Sequence, residues 1–197
     1  MKRSHKFLHS GYFFPNWNIE SLFIGTFNPD CGRPVDYYYR RSSNGFWKIL
    51  KHYDMHNKYD FNDFEDIKKF MLQMKFGCVD IISSIEFPDI DNDKICGKGF
   101  TDNVLFTVKG YRREYNFENI KSFLLNHKVK RVFSTWGHRS GPIEFNSLLL
   151  DFSNFCSLNS IQFVQLMSCS GRVYRGKKME IINNNWWGNL DTTLLKG

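Results

Sequence analysis

Four short apolar runs break off abruptly along this chain, and segments with helical spacing lie between and after them. The runs are Ser21–Phe27 (SLFIGTF), Cys78–Ile82 (CVDII), Lys130–Trp136 (KRVFSTW) and Ser160–Met167 (SIQFVQLM). Their length, and their sudden ends at Asn-Pro, Ser, Gly or Ser-Cys, predict buried strands. Asn44–Tyr53 carries Phe46, Trp47, Ile49 and Leu50 at helical spacing, with Ser42–Asn44 as capping residues. Phe61–Lys75 does the same with Phe64, Ile67, Phe70, Met71 and Met74. Phe117–His127, Pro142–Phe152 and Lys177–Trp187 read as further helices, the second with Pro in its first turn. Strands that alternate with helices pair in parallel. The expected fold is α/β, a three-layer sandwich with a central, mainly parallel four-stranded sheet flanked by helices. A length of 197 residues supports one sizeable core, so residues 1–197 are read as a single domain.

In such sheets a ligand sits beyond the carboxyl ends of the strands. The fold class therefore gathers three segments at one edge: Asn28–Asp36, Ser83–Pro88 and Ser168–Arg175. Glu86–Asn103 is polar and contains glycine, and reads as a long loop. Asp89, Asp91 and Asp93 alternate within it, but the rest of a calcium-loop motif is absent, so no metal is expected.

Charge narrows the partner. The formal charge is +7 and the pI near 9.1, which fits a polyanion, nucleic acid above all. Aromatic residues reach 17%, and flat rings on a basic surface suit base stacking. No apolar run approaches the length of a bilayer span. The opening MKRSHKFLHSGYFF is basic but lacks the long apolar core of a signal peptide. Cys31, Cys78, Cys96, Cys156 and Cys169 are odd in number and scattered, without a CxxC pair. That argues against a disulfide framework or a zinc ribbon, and reads as reduced thiols in a cytoplasmic protein; nothing in the spacing asks for an iron–sulfur cluster.

The motifs, taken in order, resemble the uracil-DNA glycosylase superfamily. GTFNP (Gly25–Pro29) resembles the first active-site motif, in which a strand delivers Asn or Asp followed by Pro. YYYRRSSNGFWKIL (Tyr37–Leu50) resembles the family's Asn-x-Phe-Trp helix start, and FGCVDIISS (Phe76–Ser84) its second strand. LMSCSGR (Leu166–Arg172) stands where the second active-site motif belongs. The Asn-Pro form is nearest the mismatch-specific uracil and hypoxanthine-DNA glycosylase-like branch.

This resemblance implies roles, residue by residue. Asn28 holds the attacking water, since an amide orients water without ionising, and Pro29 stiffens its loop. By residue type alone Asn-Pro-Asp is an ordinary turn. Asp30 is a second candidate, as a base or a stabiliser of the cationic sugar, and Asp36 a distant third. Phe46 matches the ring that stacks on the extruded base, although its position also suits the core beside Trp47. Asn44 reads as a helix cap. Thr26, Phe27, Ser83 and Ser84 fall in the segments that border the base, the two serines being equally plausible as strand-end hydroxyls. Ser168 and Ser170 grip phosphates flanking the lesion. Arg172 and Arg175, with Lys177 and Lys178, form one phosphate-binding cluster, and Arg40 and Arg41 a second. The second motif departs from the family: Met167 replaces a His or Asn, Ser168 replaces Pro, and Gly171 stands at the wedge position. Arg172, Val173 or Tyr174 would then serve as the wedge. His138 reads as structural or exposed.

The expectation is a monofunctional DNA glycosylase acting on a deaminated or mismatched base, uracil first and hypoxanthine second. It works without cofactor, as a monomer on DNA, at the nucleoid or in a nucleus. The rivals are a binding module of the same fold, a free nucleoside or nucleotide N-glycosidase, and an unrelated α/β protein.

Overall fold

The computed structural model describes residues 1–32, 35–41, 44–97, 100, 102–136, 143–170 and 179–194. Its elements are β1 (Lys2–Ser4), β2 (Ser21–Gly25), α1 (Phe46–Leu50), α2 (Phe64–Gln73), β3 (Phe76–Asp80), β4 (Ile82–Glu86) and α3 (Asn92–Cys96). They continue with α4 (Asp102–Thr107), β5 (Arg112–Tyr115), α5 (Phe117–Asn126), β6 (Arg131–Ser134), α6 (Ile143–Leu158), β7 (Gln162–Gln165) and α7 (Met179–Leu194).

The four expected strands are β2, β3, β6 and β7, and they form one all-parallel sheet in the order β3-β2-β6-β7. With its helices it makes the expected three-layer α/β sandwich. Every residue of β2 and β3 is buried, as parallel strands covered on both faces require. β7 lies at the sheet edge and is only half-buried. Phe23, in the middle of β2, organises the core on one face. Its ring stacks on Phe133 at 5.0 Å and meets Phe46 of α1 edge-on at 5.2 Å. Trp186 of α7 lies nearly parallel to it at 6.0 Å. Such ring pairs add about 0.5–1.5 kcal/mol each beyond their buried area. α2 begins on Asp63, whose carboxylate accepts the Asp66 N–H, and buries Ile67, Phe70 and Met71.

The chain leaves β2 for β3 on one side, then crosses to β6 and β7 on the other. The order of strands thus reverses between β2 and β6. That reversal is a topological switch point, and open α/β sheets bind ligands in the crevice beyond the carboxyl ends of such strands.

Three expectations are corrected. A second, antiparallel sheet in the order β1-β4-β5 stands beside the first, so Ser83 and Ser84 lie within β4 and do not end the second parallel strand. Glu86–Asn103 is not simply a loop: it holds a 3-10 turn at Asp89–Asp91, α3 and the start of α4. Asp91 is spent in packing there, accepting from Tyr111 Oη at 2.9 Å and pairing with Lys94 at 2.6 Å. The third concerns the thiols. Cys31 and Cys96 form a disulfide across 65 residues, while Cys78, Cys156 and Cys169 are free and buried. Among the described residues no helix is long and apolar enough to cross a membrane.

Two stability predictions follow from the packing. A Cβ on Gly77 would fall 2.1 Å from Pro15 Cγ. Gly77→Ala is therefore expected to lower unfolding free energy by about 1–3 kcal/mol, read as a lower urea midpoint at unchanged slope. Reduction of the Cys31–Cys96 bridge, or its replacement by serines, should lower stability by about 4 kcal/mol on the loop-entropy model. Urea unfolding with and without dithiothreitol measures it.

Candidate active site at the end of the parallel sheet

β2 ends at Gly25, which shares a sheet face with Phe23 two residues before it. A Cβ here would lie 2.3 Å from Asp80 Oδ1 and 2.5 Å from Tyr39 Oη. Glycine is required because two polar side chains press against its α-carbon. Asp80 ends β3 as the register partner of Gly25 and is 1% exposed. Its Oδ2 accepts from Asn28 Nδ2 at 2.8 Å and bonds His5 Nε2 at 2.8 Å.

His5 is brought there by the segment after β1. Its N–H donates to Ser83 O at 2.7 Å, the Lys6 N–H to Asn28 O at 2.8 Å, and the Asp30 N–H to Ser4 O at 3.0 Å. This short ladder stitches the Asn28-Pro29-Asp30 turn to the antiparallel sheet. The Phe7 N–H donates to His5 Nδ1 at 3.1 Å. Nδ1 therefore holds a lone pair, and the ring proton sits on Nε2, where it donates to Asp80. Phe13, Tyr38, Phe7 and Phe27 surround the imidazole at centroid distances of 4.7–5.9 Å.

Tyr39 spans the crevice between β2 and β6. Its φ is +60°, an unusual backbone for a bulky residue. Its ring stacks on Phe46 at 4.1 Å and 12°. Thr135, just past β6, donates its hydroxyl hydrogen to Ile24 O at 3.2 Å, so Tyr39 Oη is the donor in its 3.1 Å bond to Thr135 Oγ1. Burial first, then the Asp80 carboxylate, hold the Tyr39 phenol well above its usual range, which keeps it a donor.

The second motif closes the site from the other side. Cys169 O accepts the Gly45 N–H at 2.8 Å, and its thiol lies 3.5 Å from Asn44 Oδ1. Gly45 is the N-cap of α1, and Asn44, one residue earlier, accepts the Phe46 N–H at 2.8 Å. Ser168 and Ser170 flank the buried Cys169 and are half-buried, and the Ser170 N–H donates to Ser168 Oγ at 3.3 Å. α7 braces this strand end: Trp186 Nε1 donates to Met167 O at 2.7 Å, and Asn185 Oδ1 accepts the Met167 N–H at 2.9 Å.

The structure thus brings Asn28, Asp80, His5, Gly25, Tyr39 and Thr135 into one connected cluster, with Asn44 and Cys169 reached through Phe46. Asp30 is exposed and held by its backbone. Thr26 is buried, its carbonyl accepting the Ile82 N–H at 3.1 Å. Phe27 is buried against His5. Phe46 needs correction as a stacking ring. It is 0% exposed, covered by Tyr39, and packed on Trp47, Phe23 and Trp186. The half-buried ring above it is Tyr39. Ser83 and Ser84 do not border a base either: their hydroxyls donate to Glu114 O and Glu114 Oε2 across the antiparallel sheet. Arg40 is a clamp on its own loop, donating to Asp36 and to the carbonyls of Phe61 and Asn62. Arg41 lies 5.4 Å from the Phe100 ring. Arg172 and Arg175 fall outside the described residues, as do His138, Gly171, Val173, Tyr174, Lys177 and Lys178.

Asp80, His5 and Tyr39 are the residues that sequence reasoning missed. A charged residue closing an otherwise apolar strand, FGCVD, was the one available signal for Asp80.

Buried acids of high pKa set an alkaline limit. Burial raises the phenols of Tyr37, Tyr38 and Tyr39 and the thiol of Cys78 well above their usual values, and the thiol of Cys156 to about 12. Groups raised in the folded state keep their protons after the unfolded chain has lost its own, so their contribution is complete at low pH and lost on the alkaline side. Unfolding free energy should begin to fall near the ordinary thiol value of 9.0 and drop more steeply above the tyrosine value of 10.0. Urea titrations across that range, with tyrosinate absorbance, test this.

No protein-family model matches the chain, and no curated protein matches it either.

Proposed function

We propose that this protein is a monofunctional DNA glycosylase, with the chemistry of the uracil-DNA glycosylase superfamily. It hydrolyses the N-glycosidic bond of a flipped-out deaminated or mismatched base, uracil first and hypoxanthine second. One observation carries this reading. An uncharged Asn side chain stands at the carboxyl end of a parallel strand, beside the switch-point crevice, held by a buried carboxylate.

The chemistry asks little more of the protein. Water oxygen attacks C1′ as the C1′–N bond breaks, the base leaves with the bonding pair, and the water proton passes to solvent or base. The transition state is a cationic sugar, so a carboxylate close by lowers its energy. Asn28 Oδ1 accepts a hydrogen from the water, which turns a lone pair toward C1′. Tyr39, in place of Phe46, offers the ring for the flipped base, its phenol hydrogen being given to Thr135. Ser168 and Ser170 stand beside Cys169 as phosphate donors, and Arg41 adds charge. Flipping costs a few kcal/mol, least at mismatches and in single strands. The protein works as a monomer on chromosomal DNA in this reading.

A second reading has an observation of its own. Tyr39 already bridges the crevice to Thr135, which suits a module that grips damaged DNA without cutting it.

Alkali-induced strand cleavage separates the two. Labelled oligonucleotides carrying uracil, hypoxanthine, xanthine or mismatched thymine, single- and double-stranded, are incubated with the protein and with Asn28→Ala. The glycosylase excises one of these bases, and Asn28→Ala loses about 100-fold or more in single-turnover rate while DNA affinity holds. Tight binding without excision across the panel selects the binding module.

A further inference from the structure

The inference concerns the pair beneath Asn28 and rests on the glycosylase reading. We propose that Asp80 and His5 are positioning residues that set the Asn28 amide in the single orientation able to hold the attacking water.

An amide has two ends of similar size and opposite hydrogen-bonding sense. Asn28 could present either one outward, and only its carbonyl oxygen orients water as a nucleophile. Asp80 decides which. A carboxylate accepts only, so the end of Asn28 that meets Oδ2 at 2.8 Å must be the NH2. The carbonyl oxygen is then turned away from Asp80, and among the described residues nothing else bonds to it.

The carboxylate is itself held. It is 1% exposed and cannot swing to solvent. His5 Nε2–H fixes the same oxygen at 2.8 Å, and the Phe7 N–H on Nδ1 excludes the opposite tautomer. Oδ1 sits over the α-carbon of Gly25, where no side chain intrudes. One proton, placed on Nε2 by a backbone N–H, thereby fixes a histidine, a carboxylate and an amide in sequence. Four aromatic rings pack around the imidazole at 4.7–5.9 Å.

Two measurements test this. The first needs no activity. Nitrogen-15 NMR of the wild-type protein should show His5 as the neutral Nε2–H tautomer and the Asn28 side-chain NH2 protected from exchange. An Nδ1–H tautomer, or an Asn28 NH2 that exchanges freely, overturns the proposal whatever the enzyme does. The second uses Asp80→Leu combined with His5→Phe, which replaces the buried polar pair by apolar groups, leaves no lone buried charge, and keeps an aromatic ring in the cage. His5→Gln, which retains a donor toward Asp80, is the conservative control and guards against a fold failure in the double variant. The expected result is a fall of about 100-fold in single-turnover excision for the double variant, with DNA affinity unchanged, and near-native excision for His5→Gln. Native excision by the double variant, or equal loss of binding and rate, overturns the positioning role. A wild-type protein that shows the NMR signature but excises no base from the panel refutes the glycosylase reading, while the preset amide stands.

Discussion

A buried carboxylate needs donors, and in this protein the donors of Asp80 hold the two sheets to the candidate site. An unpaired carboxylate at 1% exposure would be costly enough to reorganise its surroundings. Two donors reach it, and each comes from a different part of the chain. Asn28 arrives from the turn after β2, and His5 from the segment that continues β1. The carboxylate therefore joins the parallel sheet, the antiparallel sheet and the candidate catalytic turn at one oxygen atom. Gly25 is part of the same solution, because any side chain there would occupy the space of the carboxylate.

Tyr39 extends this arrangement across the crevice. Its ring rests on Phe46, and Phe46 rests on the Phe23 cluster that anchors α1 and α7. The phenol end reaches Thr135 at the end of β6. Tyr39 thus has two attachments, one to the aromatic core through Phe46 and one to a strand end through Thr135. The left-handed backbone at Tyr39 is over-determined by these contacts.

The parallel sheet was legible in the sequence because its strands are buried on both faces and read as continuous apolar runs, SLFIG and FGCVD among them. The antiparallel sheet was not. β1 is KRS and β5 is RREY, short and polar, and nothing in their residue types marks them as strands. Their pairing is decided by β4, which takes one on each side. The same gap hid half of the site. Asn28 stands out in the sequence because Asn-Pro closes a strand, but His5 could be placed beside it only by a ladder that its own segment does not announce. Phe46 was ambiguous between core and surface because NGFW suits either. The turn that lays Tyr39 over it decides the matter, and that turn depends on tertiary contacts. The Cys31–Cys96 pairing was beyond reach for a related reason: it joins two segments that only the second sheet brings together.

That bridge divides the site in an uneven way. The covalent ring closed by Cys31 and Cys96 encloses Tyr39, Phe46 and Asp80, while His5 and Asn28 lie outside it. Thermal opening of the protein is therefore not symmetric about the cluster. The core-borne half is tied to itself by the chain, whereas His5 is held by non-covalent bonds alone, through the pairing of β1 with β4, its N–H on Ser83 O and its ring on Asp80. A local opening that lifts β1 from β4 would therefore carry the imidazole away from Asp80 while the closed ring stays whole.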